Sequence, residues 1–250
     1  MEPAEYATLH DYETWYWWYQ AQRAVLLDAV QTLALPPRAR LLDVGCGTGR
    51  TLETITRTAG VEDFGFDLSP RAAAYWKAPE ATRRCLGSAN EIPFADDSFD
   101  AAVTVDVLYC LEVTPAAAAV EMVRVLKPGG RLVIIEPAYE WLRSSHDLAV
   151  HGVRRFTRGG LARLLEAVGL SVVRMTHFST ALFPLIAGVR LWRRRRAANG
   201  NGAQAPSDLR PLPPWLNRAL LGVAMTERRV LRHLNLPFGS SILGIARKGS

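Results

Sequence analysis

One stretch limits this chain more than any other: Leu41-Leu42-Asp43-Val44-Gly45-Cys46-Gly47-Thr48-Gly49. An apolar run carrying a carboxylate ends in a glycine-rich turn. Arg50-Thr51-Leu52-Glu53-Thr54-Ile55 then reads as the start of a helix. Glycine serves where backbone must turn with positive φ or approach a ligand closely. A helix leaving such a turn points its first N–H groups over the loop. About twenty residues on, a second short strand, Asp63-Phe64-Gly65-Phe66, ends in Asp67, where a carboxylate can accept both hydroxyls of a ribose. The third glycine arrives one residue earlier than in the dinucleotide fingerprint Gly-x-Gly-x-x-Gly. The acid Asp43 beside the loop suits a cationic ligand better than a pyrophosphate.

Strands and helices alternate from there, which predicts a parallel sheet. Strands read at about 40–44, 62–66, Arg83–Leu86, Ala101–Val105, Arg131–Ile135 and Ser171–Phe178. Ser69-Pro70 caps and opens a short helix. Lys127-Pro128-Gly129-Gly130 stops the helix at Ala116–Val125, and Gly169 closes the one at Arg158–Ala167.

These blocks together resemble class I S-adenosylmethionine (SAM) dependent methyltransferases. Leu42-Asp43-Val44-Gly45-Cys46-Gly47-Thr48-Gly49 resembles their motif I. Gly87-Ser88-Ala89-Asn90-Glu91-Ile92-Pro93-Phe94, followed by Asp96-Asp97-Ser98-Phe99-Asp100, resembles the adenine loop and entry to the fourth strand. Val125-Leu126-Lys127-Pro128-Gly129-Gly130-Arg131-Leu132 resembles the turn before the fifth. The resemblance covers roughly 38–178 and is nearest the type 11, or UbiE-like, small-molecule branch. It implies an α/β, Rossmann-like, seven-stranded, mostly parallel sheet of order 3-2-1-4-5-7-6 flanked by helices. An N-terminal helical lid (1–37), a core (38–180), an insertion (181–238) and a last core strand (239–250) follow, with Ser241–Arg247 as that strand.

The resemblance also implies SAM as cofactor. Gly45, Cys46, Gly47 and Gly49 would be its close-approach loop, and Asp43 would lie by the methionine moiety or orient the loop. Asp67 would bind the ribose, Leu68 pack on adenine, and Ser88 and Ala89 border it. Ser88 stands where the family commonly has Asp, and a hydroxyl accepts more weakly than a carboxylate. Asp106, at the end of the fourth strand, faces the crevice where open α/β sheets bind ligands, or else caps a helix.

Methyl transfer from a sulfonium asks mainly for alignment, exclusion of water and sometimes a base. Candidates for that base are Tyr109 and the cluster His146, Asp147 and His151, with Arg154 or Arg155 clamping an acidic group. The same polar groups could simply tie a lid to the core. Two His and one Asp could also form a metal site, but their spacing matches no zinc pattern, and no metal is assigned. Aromatics of the first twenty residues, with Tyr16, Trp17 and Tyr19 foremost, together with Tyr139, are candidates for the substrate side, or for packing of a helix at 13–35.

Net charge is +6, with much of the excess in Arg190 and Arg193–Arg196. This is a local basic patch and not a nucleic-acid-coating surface, and it has few interleaved aromatics. Next to it, Ala181–Trp192 is apolar, and Asn199–Ser207 reads as a linker. Trp215–Leu236 reads as a second amphipathic helix. The apolar and basic pairing at 181–196 fits an interfacial helix on an anionic membrane, a docking helix, or a dimer contact.

The three cysteines form no disulfide framework. Glu2, Glu5, Asp11 and Glu13 leave no cleavable apolar core in the first thirty residues, and no run approaches the ~20 apolar residues that span a bilayer. The expected setting is cytoplasmic, or peripheral at the inner membrane face. The expected activity is methyl transfer from SAM to O, N or C of a small or lipophilic molecule. The alternative keeps SAM binding without methylation, in a cyclase, a rearrangement catalyst or a binding role.

Overall fold

The computed structural model describes residues 3–77, 83–196 and 211–249. Seven strands form one sheet: β1 Arg40–Val44, β2 Glu62–Asp67, β3 Arg84–Leu86, β4 Phe99–Val105, β5 Leu126–Pro137, β6 Leu170–Phe178 and β7 Ser241–Lys248. Their order is β3-β2-β1-β4-β5-β7-β6. All neighbours are parallel except β7, which runs antiparallel to both β5 and β6. This is the Rossmann-like order expected from the sequence. The central strands are apolar on both faces because helices cover both sides.

One layer holds Leu42, Val44, Ala102, Leu132, Ile134 and Ile242 against α5 (Pro115–Val125) and α7 (Arg158–Ala167). The other holds Leu41, Ala101, Val103, Val133, Ile135 and Leu243 against α2 (Trp17–Thr32) and α3 (Arg50–Ala59). Period-two alternation along each strand assigns its side chains to the two layers.

The helix expected at 13–35 is present as a single helix that starts at Trp17, and a further helix precedes it. α1 (Pro3–Tyr12) precedes α2, and the chain breaks around Glu13–Tyr16. Aromatic mass obscured the break: Tyr16 stacks on Tyr12 at 5.5 Å across it. After β2 comes α4 (Pro70–Ala73), where the Ser69 hydroxyl accepts from Arg71 N–H. α6 (Ser145–Ala149) lies in the β5–α7 connection. α8 (Phe183–Arg196) and α9 (Pro214–Leu231) lie between β6 and β7. The Asn199–Ser207 linker lies outside the described residues.

α9 packs back on α2. Asp28 takes paired donors from both Arg228, at 2.6 and 2.7 Å, and Arg232, at 2.8 and 2.9 Å. Among the described residues no helix is long and apolar enough to cross a membrane.

Two glycines of the β1 turn are dictated by what lies beside them. Gly45 has φ +75, and a Cβ there would stand 2.5 Å from a Val107 methyl. Gly49 has φ +88, and its Cβ would stand 2.3 Å from Arg84 Nη1. The early third glycine therefore makes room for a guanidinium buried under the turn. Arg84 sits 3.8 Å from Asp63, and both side chains are fully buried.

Candidate active site

The carboxyl ends of β1, β2 and β4 open into a cavity of about 510 Å³, within the usual range for small-molecule sites. Its floor is the β1 turn. Asp67 closes β2 and holds that turn in place. Its carboxylate accepts Gly47 N–H at 2.8 Å and Ser69 N–H at 2.9 Å. Burial raises its pKa, and those two backbone bonds together with the Tyr6 hydroxyl oppose the shift. Trp76 Nε1 donates to Gly47 O at 2.8 Å from the other side.

Asp106 follows β4 with φ +55, an uncommon conformation outside glycine that aspartate and asparagine adopt more readily than most residues. It accepts Gln22 Nε2 at 2.8 Å, and burial pushes its pKa up to about 6 against that bond. Burial likewise pushes Asp43 up to about 7, with Arg84 pulling the other way. Beneath them Glu136, fully buried, accepts Val107 and Leu108 N–H at 3.1 and 2.7 Å and fixes the Asp106 loop. Burial also raises the Cys46 thiol well above its ordinary range, so it is an inert small residue of the turn.

The roof is α1 and α2. Tyr6, Leu9, Glu13, Trp18, Tyr19, Gln22 and Arg23 all reach the cavity. Glu13 accepts from Thr48 Oγ1 at 2.6 Å, which ties roof to floor. The Arg23 guanidinium donates to Glu13 O at 2.6 Å, while its buried Nε has no partner among the described residues. The break between the roof helices is pinned from α9. Trp17 N–H donates to Asn217 Oδ1, and Asn217 Nδ2 donates to Trp15 O, both at 2.9 Å.

The far wall carries an acid–base pair that faces the cavity. His151 Nδ1 lies 2.8 Å from Glu112 Oε1, and both residues line the cavity beside Tyr109. Burial raises the Glu112 carboxyl, but the His151 bond, a backbone N–H bond and nearby positive charge together outweigh it and hold the group below its ordinary value. A low-pKa acceptor at Nδ1 favours the Nδ1–H tautomer and puts the lone pair on Nε2. His151 has φ +58, and the Cβ of any side chain at the next residue, Gly152, would stand 2.4 Å from the Tyr109 ring. The histidine is thus held rigidly.

Nine of the ten residues expected around the cofactor line this cavity: Asp43, Gly45, Cys46, Gly47, Asp67, Leu68, Ser88, Ala89 and Asp106. Gly49 lies behind the turn against Arg84. Tyr109, His151 and Tyr19 also line it. Other expectations are corrected. Asp147 is 2% exposed and bonded to Ser144 N–H at 2.7 Å and to Arg155 Nη2 at 2.6 Å, so this pair ties the β5–α7 connection together. Arg154 sends Nη1 to Leu108 O, Cys110 O and Val113 O at 2.8–2.9 Å, bracing the wall loop from behind.

Tyr139 stacks on His177 at 5.4 Å, away from the cavity lining. Tyr16 and Trp17 pack at the roof hinge. The side chain of His146 lies outside the described residues. Glu112, Glu13 and Asn217 went unseen in the sequence, since nothing local marks a partner 39, 35 or 200 residues away.

Comparison with known proteins bears on this geometry. A family described as methyltransferase domain matches residues 42–134. The C-methyltransferase UbiE of ubiquinone/menaquinone biosynthesis from Geotalea daltonii is 39% identical over 117 residues, 43% of this chain and 49% of that one. The O-methyltransferase resE of Aspergillus sclerotiorum is 32% identical over 160 residues, 58% of this chain and 60% of that one. The chain thus spans about half the length of the curated relatives it matches. Geranyl diphosphate C-methyltransferase from Streptomyces coelicolor A3(2) shares the fold at TM-score 0.60 and 18% identity, over 92% of this chain and 81% of that one.

Proposed function

We propose that this chain, whose residues 42–134 are a methyltransferase domain, transfers the methyl group of SAM to a carbon or oxygen nucleophile of a small, lipophilic acceptor. The observation that carries the reading is Asp67 at the end of β2, in one cavity with the glycine turn and Asp106. The donors and acceptors present suit SAM. Asp67 takes the ribose diol, at the place where the Tyr6 hydroxyl now sits. Leu68, 54% exposed, offers an apolar face to adenine, with Ser88 and Ala89 at its edge. Asp106 and Asp43 supply negative charge for the ammonium and sulfonium groups. Arg23, with its unsatisfied Nε, takes the carboxylate.

Once bound, the sulfonium presents an already activated methyl group. The chain then has to align, dry and deprotonate. Trp18, Tyr19, Val113 and Val150 line the acceptor side and keep it apolar. His151, oriented by Glu112, receives the proton that the acceptor gives up. In this reading 1–37 is the lid, 38–180 with 239–250 the core, and 181–238 an insertion. The names of the C- and O-methyltransferase relatives favour a carbon or oxygen acceptor atom, and that of the UbiE relative favours a quinone-like acceptor.

Calorimetric titration with SAM tests the reading. Each hydrogen bond to a charged group is worth about 1.5–3 kcal/mol, and Asp67 makes two to the ribose. Asp67→Ala therefore weakens SAM at least about 100-fold. Equal affinity in wild type and variant would refute it.

Affinity also follows pH. A cationic ligand favours ionised Asp43 and Asp106, whose pKa values are about 7 and about 6. From pH 8 to pH 6, Asp43 alone lowers affinity about tenfold, and Asp106 adds to this. The same two groups act oppositely on the unliganded fold. Their native pKa values exceed the unfolded ones, so their stability contribution is full at low pH and lost as pH rises through 6 and 7. The thermal shift produced by SAM should accordingly grow from pH 6 to pH 8. A constant shift would remove both carboxylates from the site.

A further inference from the structure

We propose that the outward face of α8 docks on an anionic lipid membrane. This goes beyond methyl transfer and does not depend on it. The inward side of α8 is fully used. Phe183 packs its ring against Tyr139, Trp141 and Phe238 at 5.6–5.9 Å, Ala187 is buried, and Arg190 donates to Leu142 O at 2.7 Å.

The outward side consists of Pro184, Leu185, Gly188, Val189, Leu191 and Trp192, all exposed. At about 100° per residue these six positions fill a continuous arc of roughly 160°, apolar from Pro184 to Trp192, before the arginine run begins. Leu185 is 58% and Trp192 54% exposed. A surface helix in water turns a polar stripe outward. Here apolar side chains occupy both stripes, and a contiguous exposed apolar face marks an interaction site.

The charge pattern selects the occupant. α8 contains no carboxylate, and its last turn is Arg193–Arg196 in sequence. The next helix repeats the combination on its exposed positions, with Trp215, Val223 and Val230 beside Arg218 and Arg229. Its one acid, Glu227, is turned to Ala181 N–H at 2.7 Å. Apolar side chains with an indole next to a run of arginines fit the boundary between headgroups and acyl chains of an anionic bilayer. A second copy docked on the same face would bring more arginines and no carboxylate to meet them. At 14 residues α8 lies along the surface and cannot cross. Because α9 also pins the roof hinge through Asn217, the docking face and the cavity's lid share one clamp.

The test is co-sedimentation of the full chain with vesicles of phosphatidylcholine alone and of phosphatidylcholine mixed with phosphatidylglycerol. Wild type should sediment with the anionic vesicles, at least about tenfold more than with the neutral ones, and raising the salt to about 1 M should release it. Leu185→Asp with Val189→Asp should lower binding at least about tenfold with unchanged thermal unfolding, because both side chains face out. Replacing Arg193–Arg196 by Gln should do the same. Three results would overturn the proposal: no sedimentation of wild type, equal sedimentation of wild type and variants, or a wild-type dimer that the Asp pair dissolves without any vesicle binding.

Discussion

His151→Gln is expected to lower kcat by about 10²–10⁴, the usual contribution of general acid–base catalysis, and to leave SAM affinity within about twofold. The two effects separate because the proposed reading assigns His151, paired with Glu112, to the acceptor, and Asp67 and the glycine turn to SAM. Glu112→Gln should cost less, since an amide can still orient the ring while offering no charge to the imidazolium that forms. Its signature is a pH–rate profile whose acid limb moves to lower pH. Removing the carboxylate lowers the pKa of the neighbouring imidazole. A base with a lower pKa stays deprotonated further into acid, and the acid limb therefore moves to lower pH in the variant. A merely structural His151–Glu112 contact would reduce thermal stability and leave that limb where it is. Glutamine at 151 must also accept φ +58, so His151→Asn, which tolerates this conformation better, serves as the control for strain.

The second large effect is on stability. Arg84→Met removes the only cation fully buried beside Asp63 and near Asp43 among the described residues. Breaking a buried pair costs about 3–5 kcal/mol. Arg83, 3.3 Å from Asp63, remains as a partner, so the low end applies. At about 2–4 °C per kcal/mol for a chain of this size, Tm falls by about 6–12 °C. Arg84 also holds the raised Asp43 pKa down. Without it Asp43 rises further, and the stability gap between variant and wild type widens as pH goes from 6 to 8. Equal Tm values, or a gap that closes with rising pH, would show that Arg84 does not neutralise this pair. Removing the guanidinium also vacates the space in which a Gly49 Cβ would clash. Gly49→Ala should therefore cost less in the Arg84→Met background than alone, a coupling that a double-mutant cycle reads directly.

What the sequence disclosed was local. A strand, a turn and a carboxylate lie within a few residues of one another at Leu41–Gly49 and again at Asp63–Asp67. Sheet topology then brings both strand ends to one crevice without further information. Asp106 was legible for the same reason, being the residue after a buried strand.

The wall was harder. His146, Asp147, His151, Arg154 and Arg155 are neighbours in sequence and read as one polar cluster. Backbone direction separates them. The helical turn at Ser145–Ala149 aims Asp147 inward to Arg155, and the positive φ at His151 sends that ring to the cavity. His151's partner, Glu112, comes from the β4–α5 loop, and no periodicity links the two. Asn217 is less legible still: an asparagine inside an amphipathic helix reads as an ordinary polar position until α9 is laid against α2. The first lid helix, α1, and the break after it were not legible because a run of tyrosines and tryptophans carries no cap signal.

One measurement tests the central claim of methyl transfer most directly. The protein is incubated with methyl-labelled SAM and, in turn, lipophilic quinol, phenol and isoprenoid acceptors. S-adenosylhomocysteine and labelled organic product are then quantified together. The account predicts one S-adenosylhomocysteine per labelled product, with both lost in His151→Gln and in Asp67→Ala. An acceptor converted to an unlabelled, rearranged product while SAM stays intact would contradict it, and would leave the cavity a SAM-binding scaffold for another reaction.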